Sequence, residues 1–505
     1  MCDMDNANKN KVRVRLAPSP TGPLHIGTAR TALSNYLFAK KNGGTFILRI
    51  DDTDTERSQK KFEDDVINHL KWLGIIWDEG PGIDGGPHEP YYQSKRTALY
   101  RTHLEKLIKE KKAYYCFCGK DTQDKPDGSA TTDFANKYPG TCRSLSEEEV
   151  KNRHAAGERS VIRFLVSGEK VFFEDMVRGH IDFDTSLFGD VVIAKSLDAP
   201  LYNFATVIDD YEMDITHVIR GEDHISNTPK QLLIAKALGF AVPVFGHLPL
   251  LLGTDRSKLS KRNAVVSIAD YKEDGFLPEA LVNFIALLGW NPGDARELFS
   301  LQELISEFSV SKIQKSGAVF DIKKLEWMNG HYIKALFPDV LREQALYYLE
   351  KNGVLKREGA SYRGASGSLY DEAYVNKALA LEQSRLKKMS EVVEVSKPLF
   401  VDIPEYQPPL LLWKQWTQND IVRSLNAAKE HVLTLSDELF TNEYLKENLL
   451  QKAKSIQAKD AGYFLWPLRV ALSGRDKSPS PAELMVVLGK KRTLERIQAA
   501  INKIS

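Results

Sequence analysis

The sequence predicts a doubly wound α/β (Rossmann-type) domain that is interrupted by an inserted α+β domain and followed by all-helical C-terminal domains. Three observations predict this fold class. Strands and helices alternate over roughly the first 80 residues, short strands separated by turns follow over about residues 114–199, and amphipathic helix predominates after about residue 323. Alternation of strand and helix at this spacing is typical of a parallel sheet covered by helices.

The elements of the α/β domain follow from hydrophobic periodicity. Residues 12–17 alternate between apolar and basic side chains, which is the period of a half-buried strand. A helical pattern then runs to residue 41 and ends at Asn42, Gly43 and Gly44. By the same reasoning we predict a helix over residues 27–41, a strand over 45–50, a helix over 58–73, and, after the insertion, apolar strands over 202–219 and 245–252 that flank a helix over 229–238.

The changes of pattern divide the chain into five segments. A Gly/Ser-rich stretch and a Pro-rich stretch punctuate the C-terminal helices at residues 359–368 and 404–409. The predicted segments are the first half of the Rossmann-type domain at 1–115, the inserted domain at 116–199, the second half at 200–250, a further domain at 251–325, and a helical region at 326–505 that divides near 385–410.

Composition sets broad limits on the class of protein. Apolar residues make up 42% of the 505 residues, and no run of about eighteen apolar residues suggests a membrane span. The N-terminus lacks the apolar core of a signal peptide, and four cysteines imply no disulfide framework. The formal net charge of +1 neither indicates nor excludes a nucleic-acid partner. We therefore predict a cytoplasmic protein without membrane contact.

The first candidate binding element is a loop rich in Pro, Gly and Ser between the first strand and the first helix, where residues 17–28 have the sequence APSPTGPLHIGT. Ligands bind at this edge of a doubly wound sheet. His25 can donate a hydrogen bond to a phosphate oxygen as negative charge develops, and Gly27 lets another planar group approach the start of the helix. Taken alone, the same residues would also fit an ordinary loop with one histidine.

The second candidate element is the basic sequence KLSKR at residues 258–262, directly after an apolar strand. Lys258 and Lys261, with Ser260 between them, can place two ammonium groups on one polyphosphate. A solvated basic loop is the alternative interpretation. Together, and in this order along the chain, the two elements predict a site that binds ATP and uses it to activate a carboxylic acid.

These elements resemble the HIGH and KMSKS motifs of class I aminoacyl-tRNA synthetases. Further stretches are similar to glutamyl-tRNA synthetases of the bacterial type, namely residues 15–22 (RLAPSPTG), 49–54 (RIDDTD), 220–224 (RGEDH), 327–330 (WMNG) and 488–494 (LGKKRTL). The resemblance covers essentially the whole chain. It implies that L-glutamate is activated with ATP and transferred to the 3′-terminal adenosine of tRNA-Glu. It also implies a tRNA-binding role for three segments: residues 116–199 would hold the acceptor stem, residues 251–325 would contact the stem and carry the KMSKS motif, and residues 326–505 would bind the anticodon.

The resemblance also assigns the residues that bind glutamate. Arg15 and Arg220 would bind the side-chain carboxylate with Tyr202 beside them, and Ala17 and Ser19 would hold the α-amino end. The planar guanidinium of arginine can donate two parallel hydrogen bonds to a carboxylate and neutralise its charge, whereas the side chain of glutamine is uncharged. Admitting glutamine would leave a partly buried guanidinium unpaired, at a cost of about 3–5 kcal/mol.

The nucleotide-binding residues follow from the same resemblance. It implies that ATP, accompanied by Mg²⁺, is bound by His25, Gly27, Thr28, Lys258, Ser260 and Lys261, among which His25, Lys258 and Lys261 are catalytic. Thr28 stands where the HIGH motif has its second histidine. Asp51 stands where the family usually has Glu facing the substrate ammonium, and its shorter side chain allows either a direct contact or a water bridge.

Three of the four cysteines, Cys116, Cys118 and Cys142, lie within the insertion around a polar, turn-rich loop. This spacing suits a closed tetrahedral zinc site with a structural role. Three reduced, packed thiols are the alternative. The resemblance implies Tyr138 as the fourth ligand, with His154 or water as alternatives.

Other functions fit the sequence less well. A transferase that glutamylates a tRNA base would lack residues 330–505, and a non-catalytic RNA-binding paralogue would not need His25, Lys258 and Lys261. A nucleotidyltransferase without an RNA partner would not need the helical C-terminal half. The sequence leaves open whether tRNA-Gln is charged as well, and we expect a monomer.

Overall fold

The computed structural model describes residues 11–54, 57–118, 138, 140–259, 267–456 and 460–504. The chain folds as two compact units. Unit 1 comprises Met1–Lys272 and Pro278–Ile322, and unit 2 comprises Glu273–Leu277 and Lys323–Ser505. Within the described ranges, no helix has the length and apolar character needed to cross a membrane.

Unit 1 begins with alternating strands and helices. The elements are β1 (Arg13–Leu16), α1 (Ile26–Lys41), β2 (Thr45–Leu48), α2 (Lys60–Trp72) and α3 (Thr97–Lys109). Strands β1 and β2 pair in parallel, and both have buried apolar residues along their length. The predicted order of strand, helix, strand and helix is therefore present, with bounds that differ by at most two residues.

The segment that follows contains the short strands expected of an insertion. Its elements are β3 (Ala113–Cys116), α4 (Glu147–Ala155), β4 (Val161–Phe164), β5 (Lys170–Asp175), β6 (Gly179–Asp184), β7 (Val191–Ser196) and β8 (Ala199–Pro200). Strands β3, β4, β7 and β8 form an antiparallel sheet.

The chain then returns to the parallel sheet. The remaining elements up to residue 319 are α5 (Tyr202–Glu212), β9 (His217–Gly221), α6 (Thr228–Leu238), β10 (Val244–Leu248), β11 (Leu251–Leu252), α7 (Ile268–Glu273), α8 (Pro278–Ala286), α9 (Leu301–Glu307) and β12 (Ala318–Val319). Strand β10 pairs in parallel with both β9 and β5, so two strands of the insertion, β5 and β6, extend this sheet. The backbone N–H of Thr216 donates to the carbonyl of Arg13 at 3.0 Å and joins the β9 end of the sheet to β1.

The prediction of a strand over residues 202–219 is wrong for most of that range. Residues 202–212 form helix α5, and only β9 is extended. Seven consecutive residues of α5, from Phe204 to Asp210, are buried, so this helix is covered on nearly all sides. A helix that is buried on nearly all sides lacks the one-sided apolar stripe from which a helix is recognised. Its sequence then shows the same continuous run of mostly apolar residues as a buried strand.

Unit 2 is mainly helical but contains a small sheet. Its helices are α10 (Ile322–Lys334), α11 (Pro338–Lys351), α12 (Glu372–Gln383), α13 (Val392–Ser396), α14 (Gln418–Thr434), α15 (Asn442–Ile456), α16 (Gly462–Ser473) and α17 (Pro481–Ile504), the last of which is kinked at Gly489. The three antiparallel strands are β13 (Leu355–Glu358), β14 (Ser361–Gly364) and β15 (Leu369–Asp371).

The three-stranded sheet corrects the prediction of an all-helical C-terminal region. Its strands occupy the Gly/Ser-rich stretch that the sequence suggested was a break between helices. Tyr362 and Tyr370 pair across β14 and β15 and are both buried. Gly359 and Gly367 have φ of +61° and +89° at the two turns, a conformation that glycine adopts without strain. Strands of three or four residues are too short to give a clear alternating pattern.

Candidate active site

A cavity of about 460 Å³ lies in unit 1 at the carboxyl ends of the parallel strands. The ends of β1 and β9, Leu16 and Gly221, line its wall, and so does Pro249 after β10. This is the edge at which doubly wound sheets bind ligands. The predicted site residues that line the cavity are Arg15, Ala17, Ser19, His25, Gly27, Thr28, Asp51, Tyr202, Arg220 and Lys258. Ser260 and Lys261 lie outside the described residues.

A buried ion-pair network centred on Arg49 forms part of the cavity wall. Arg49 Nε donates to Asp51 Oδ1 and Arg49 Nη1 donates to Asp210 Oδ1, both at 2.7 Å. Arg15 donates to the same Asp210 carboxylate through Nε at 3.1 Å and Nη2 at 3.2 Å. The guanidinium fork of Arg15, which we predicted to bind substrate, is therefore already paired with a carboxylate of helix α5.

The network shifts the pKa values of its acids in opposite directions. Burial raises the pKa of Asp51 to about 6, although the ion pair with Arg49 opposes this rise. Burial also raises the pKa of Asp210, but the charges of Arg15 and Arg49 outweigh burial and hold that pKa below its usual value. Burial lowers the pKa of Arg49, yet Asp51, Asp210 and Asp209 together hold it well above its usual value. Arg49 thus stays charged, whereas Asp51 can gain a proton in mildly acidic solution.

Arg220 differs from the other two arginines because its hydrogen-bond partners are neutral. Its Nε donates to His247 Nε2 at 3.2 Å, and its Nη2 donates to Thr228 Oγ1 and Gln231 Oε1 at 2.9 Å. Its Nη1 is buried and has no hydrogen-bond partner among the described residues. Burial lowers the pKa of Arg220, which reflects the cost of a buried charge without an adjacent counter-ion. An anion in the cavity would offset that cost.

Tyr202 and His224 form the polar surface next to Arg220. The Tyr202 hydroxyl lies 3.3 Å from His224 Nδ1, and both residues line the cavity. Burial, followed by the charge of Arg220, lowers the pKa of His224 to about 4. His224 is therefore neutral at pH 7 and adds no charge to that of Arg220.

His25 caps the helix whose N-terminus faces the cavity. Its Nδ1 accepts from the backbone N–H groups of Gly27 at 3.2 Å and Thr28 at 3.3 Å, so the proton of the neutral ring is on Nε2, which lies 3.1 Å from Thr28 Oγ1. A Cβ on Gly27 would approach the His25 ring to 3.2 Å. Gly27 therefore allows the ring to fold over the first turn of α1. The N-terminus of a helix attracts anions such as phosphate.

Lys258 reaches the cavity on a tight hairpin. Leu252 and Lys258 form an antiparallel bridge, and the N–H of Leu259 donates to the carbonyl of Leu251 at 2.9 Å. Lys258 is exposed and lines the cavity together with Leu259. The hairpin thus places one of the two predicted lysines on the side of the cavity where His25 and the α1 N-terminus lie, since Leu251 packs against Gly27.

The combination of a helix N-terminus, a lysine hairpin and a buried arginine can be compared with known proteins. Residues 11–327 match the family model of the catalytic domain of class I tRNA synthetases (E and Q). Residues 341–501 match the model of an anticodon binding domain. The chain belongs to the class I tRNA synthetases of the glutamate and glutamine group.

Relatives in this synthetase family are similar over nearly their full length. Glutamate–tRNA ligase 2 of Caldicellulosiruptor saccharolyticus is 42% identical over 501 residues, which cover 97% of this chain and 99% of the relative. Glutamate–tRNA ligase 1 of Thermoanaerobacter sp. is 43% identical over 499 residues, with coverage of 98% and 100%. A crystal structure of a glutamate tRNA ligase from Elizabethkingia meningosepticum in complex with its amino acid aligns with a TM-score of 0.83 and 33% identity, covering 98% of this chain and 100% of that one.

A second candidate site of this synthetase is a cluster of thiols in the insertion. The sulfur atoms of Cys116, Cys118 and Cys142 lie within 4.8 Å of one another. Tyr138 Oη lies 3.2 Å from Cys116 Sγ and 3.8 Å from Cys118 Sγ. His154 is not part of this group, because its ring lies against Tyr115 and Phe117 and its Nε2 lies 2.9 Å from Ser160 Oγ.

Sequence reasoning missed several residues of the synthetase site. Asp210 and Asp209 were assigned no role, although two adjacent acids inside an apolar run are a usable sign of buried ion pairs. Arg30 was also missed. It is buried in the cavity wall and donates to the carbonyls of Pro249 and Leu288. Burial lowers its pKa to about 10, with a smaller opposing effect of Asp223.

Removing the central cation of the network should destabilise unit 1. We expect Arg49→Met to lower the free energy of unfolding by about 3–5 kcal/mol, because Asp51 and Asp210 would be left buried with less compensating charge. The measurement is urea unfolding followed by circular dichroism. Arg101→Met is the matched control, since it removes an exposed ion pair with Asp198 and should leave the unfolding midpoint almost unchanged. Equal midpoints for Arg49→Met and the wild type would contradict the prediction.

Proposed function

We infer that the chain ligates L-glutamate to tRNA. In the first step glutamate and ATP give glutamyl-adenylate and pyrophosphate, and in the second the glutamyl group moves to the 3′-terminal adenosine of tRNA-Glu. The observation that carries this inference is Arg220, a buried guanidinium of the cavity wall with neutral partners, whose Nη1 has no hydrogen-bond partner within the part of the chain that the structure describes. The names of the full-length relatives support the same substrate.

The proposed glutamate site divides the substrate between two sets of residues. Arg220 Nη1 and the Tyr202 hydroxyl bind the side-chain carboxylate. Arg15 is already paired with Asp210, so it contributes to glutamate binding mainly by shaping the cavity wall and by donating from the N–H groups that Asp210 does not accept. Ser19 and the backbone of Ala17 hold the α-amino end, and Asp51 supplies the negative charge nearest to it. Since both Asp51 oxygens accept from Arg49, a water bridge to the ammonium fits this geometry better than a direct ion pair.

Selection against glutamine follows from the neutral hydrogen-bond partners of Arg220, which leave its charge uncompensated. A carboxylate gives Arg220 the counter-ion that its surroundings lack, whereas the amide of glutamine supplies no charge. Leaving the buried guanidinium uncompensated costs about 3–5 kcal/mol, which corresponds to roughly 10²–10³ or more in kcat/KM. The selection is thus mainly electrostatic and does not depend on shape alone.

The proposed nucleotide site lies at the other side of the cavity. The N-terminus of α1, with Gly27 and Thr28, faces the ATP phosphates, and the protonated Nε2 of His25 donates to the α-phosphate as charge develops. Lys258 places its ammonium on the phosphates, and we propose the same role for Ser260 and Lys261, which lie outside the described residues. Mg²⁺ bound with ATP would neutralise phosphate charge.

We further propose that the thiol cluster holds a structural zinc ion. Tetrahedral Zn²⁺ with Zn–S distances of about 2.3 Å requires sulfur atoms about 3.8 Å apart. Cys118 Sγ and Cys142 Sγ are 3.7 Å apart, so the donor set fits this ion. Tyr138 is the proposed fourth ligand, and the guanidinium of the buried Arg163 packs over its ring, 4.0 Å from the ring centroid. A reducing, cytosolic location and a monomeric state complete the proposal.

The function is tested by aminoacylation of purified tRNA. We expect charging of tRNA-Glu with glutamate, and ATP–pyrophosphate exchange with glutamate only when tRNA is present. Purified tRNA-Gln assayed in parallel decides whether the enzyme also forms glutamyl-tRNA-Gln. Failure to charge either tRNA would overturn the proposed function, and full exchange without tRNA would contradict its dependence on tRNA.

The pKa of Asp51 predicts the pH dependence of glutamate use. Below about pH 6 the carboxyl becomes protonated and loses the charge that attracts the substrate ammonium, so kcat/KM for glutamate should fall by up to tenfold per pH unit. The side chain of free glutamate titrates near 4.3 and does not interfere. In Asp51→Asn the plateau should be lower and the fall near pH 6 should disappear. An unchanged acid limb in this variant would rule out Asp51 as its source.

The zinc proposal predicts one Zn²⁺ per chain in protein purified without chelator. Mass spectrometric metal analysis should show loss of most of the metal in Cys142→Ser and retention of weaker binding in Tyr138→Phe, because three thiolates remain. Cys2→Ser is the control, since Cys2 is the cysteine that stands far from the other three in the sequence. Metal-free wild-type protein, or equal content in Cys142→Ser, would contradict a zinc site here.

A further inference from the structure

Behind Arg220, a buried histidine and a buried carboxylate continue its hydrogen-bond chain across three neighbouring strands. Asp175 ends β5, His247 lies on β10, and Arg220 lies on β9, directly opposite His247 in the parallel register. His247 Nδ1 lies 2.6 Å from Asp175 Oδ2, and its Nε2 lies 3.2 Å from Arg220 Nε. The side chains of His247 and Asp175 are fully buried.

His247 Nε2 also lies 3.2 Å from Thr228 Oγ1, a hydroxyl that can either donate or accept. Only one protonation state of His247 satisfies the other two neighbours, Arg220 and Asp175. Arg220 Nε–H can only donate, so His247 Nε2 must accept. His247 Nδ1 must then carry the proton and donate it to Asp175. Burial lowers the pKa of His247, the hydrogen bond with Asp175 opposes this, and the charge of Arg220 lowers the pKa further. The ring is therefore neutral, with its tautomer fixed by Asp175.

We propose that His247, held in this tautomer by Asp175, is a positioning residue that aims the Nη1 of Arg220 at the carboxylate of the amino-acid substrate. This inference rests on the proposed function of Arg220. His247 does not touch the cavity, because the lining residues include Arg220 and exclude His247 and Asp175. It acts through the arginine alone.

The geometry explains why one arginine nitrogen faces the substrate. Acceptors hold Nε and Nη2, His247 for the former and Thr228 and Gln231 for the latter. The planar guanidinium is thus fixed along the edge formed by Nε and Nη2. Nη1 has no partner among the described residues and is the nitrogen that we assign to the ligand. Without an acceptor at Nε, the guanidinium is held at Nη2 alone and can pivot about that nitrogen. Displacement of a binding group by 1 Å can cost roughly 100-fold in rate.

Substitution of His247 by Gln and by Asn distinguishes a positioning role of this residue from a role in packing alone. Gln can place Oε1 near the position of Nε2 and accept from Arg220, while it gives up the donor to Asp175. Asn can place Nδ2 near Nδ1 and donate to Asp175, while it leaves Arg220 Nε without an acceptor. Both side chains are smaller than His, and Asn leaves the larger void, so the loss of melting temperature in each variant measures the packing that it gives up.

The experiment is steady-state aminoacylation of tRNA-Glu by the full-length wild type, His247→Asn and His247→Gln, with KM measured for glutamate and for ATP. We expect His247→Asn to raise the KM for glutamate about tenfold or more, to leave the KM for ATP within about twofold, and to lower the preference for glutamate over glutamine. His247→Gln should stay within about threefold of the wild type in all three quantities. Melting temperatures establish that the variants are folded.

Two outcomes overturn the proposal. One is an equal rise in the KM for glutamate in both variants, and the other is a parallel rise in the KM for ATP, because loss of packing alone would produce either. Thr228→Val removes an acceptor of Arg220 Nη2 and replaces His247→Asn if that variant does not fold; an unchanged KM for glutamate in it also counts against the proposal.

Arg220→Lys distinguishes failure of the positioning role from failure of the proposed site. A large rise in the KM for glutamate in Arg220→Lys with no effect of His247→Asn would overturn the role of His247 and leave the site intact. No effect in Arg220→Lys would mean that the substrate carboxylate binds elsewhere, which overturns both.

Discussion

The cavity depends on one buried guanidinium, that of Arg49. It joins Asp51, which follows β2, to Asp210 on α5, and Asp210 in turn holds Arg15 on β1. A strand pair from the start of the chain and a helix from beyond the insertion are therefore linked by charge as well as by packing. Each member is costly to bury alone and becomes acceptable only when its partners are present. This part of the wall is consequently rigid, because none of these four side chains can turn away without removing a charged partner from another.

This arrangement also separates the charges of the cavity by role. Arg15 and Arg49 are neutralised by carboxylates of the protein, while Arg220 has neutral partners and keeps its positive charge for a ligand. The distinction lies in the partners and not in the residue type. Of the four arginines in this wall, Arg15 and Arg49 thus have carboxylate partners, whereas Arg30 and Arg220 have neutral ones. Arg220 is the one that we propose binds the single side-chain carboxylate of the substrate.

The α/β fold and most residues of the candidate site could be predicted from the sequence, because the functional residues lie in short, recognisable sequence motifs. The loop with His25 and Gly27 lies between a strand and a helix, and the sheet topology brings such loops to one edge. The partners of those residues could not be predicted in the same way. Asp210 lies 195 residues from Arg15, and nothing in the local sequence of either indicates the other. Helix α5 is buried on nearly all sides and gives no helical stripe, so its sequence predicts a strand, and β13 to β15 are too short to give an alternating pattern.

The distance between Arg15 and Asp210 has a consequence for the growing chain on the ribosome. At 5–20 residues per second, the ribosome needs about 10–40 s to add the residues that separate them. During that interval the first strands carry two arginines, Arg15 and Arg49, whose shared carboxylate has not yet been made. Arg49 can already pair with Asp51, but burial of Arg15 is unfavourable until Asp210 emerges. We therefore expect the N-terminal strands to stay solvated while the insertion is synthesised. Translation order therefore delays closure of the site until the two halves of the sheet can form together.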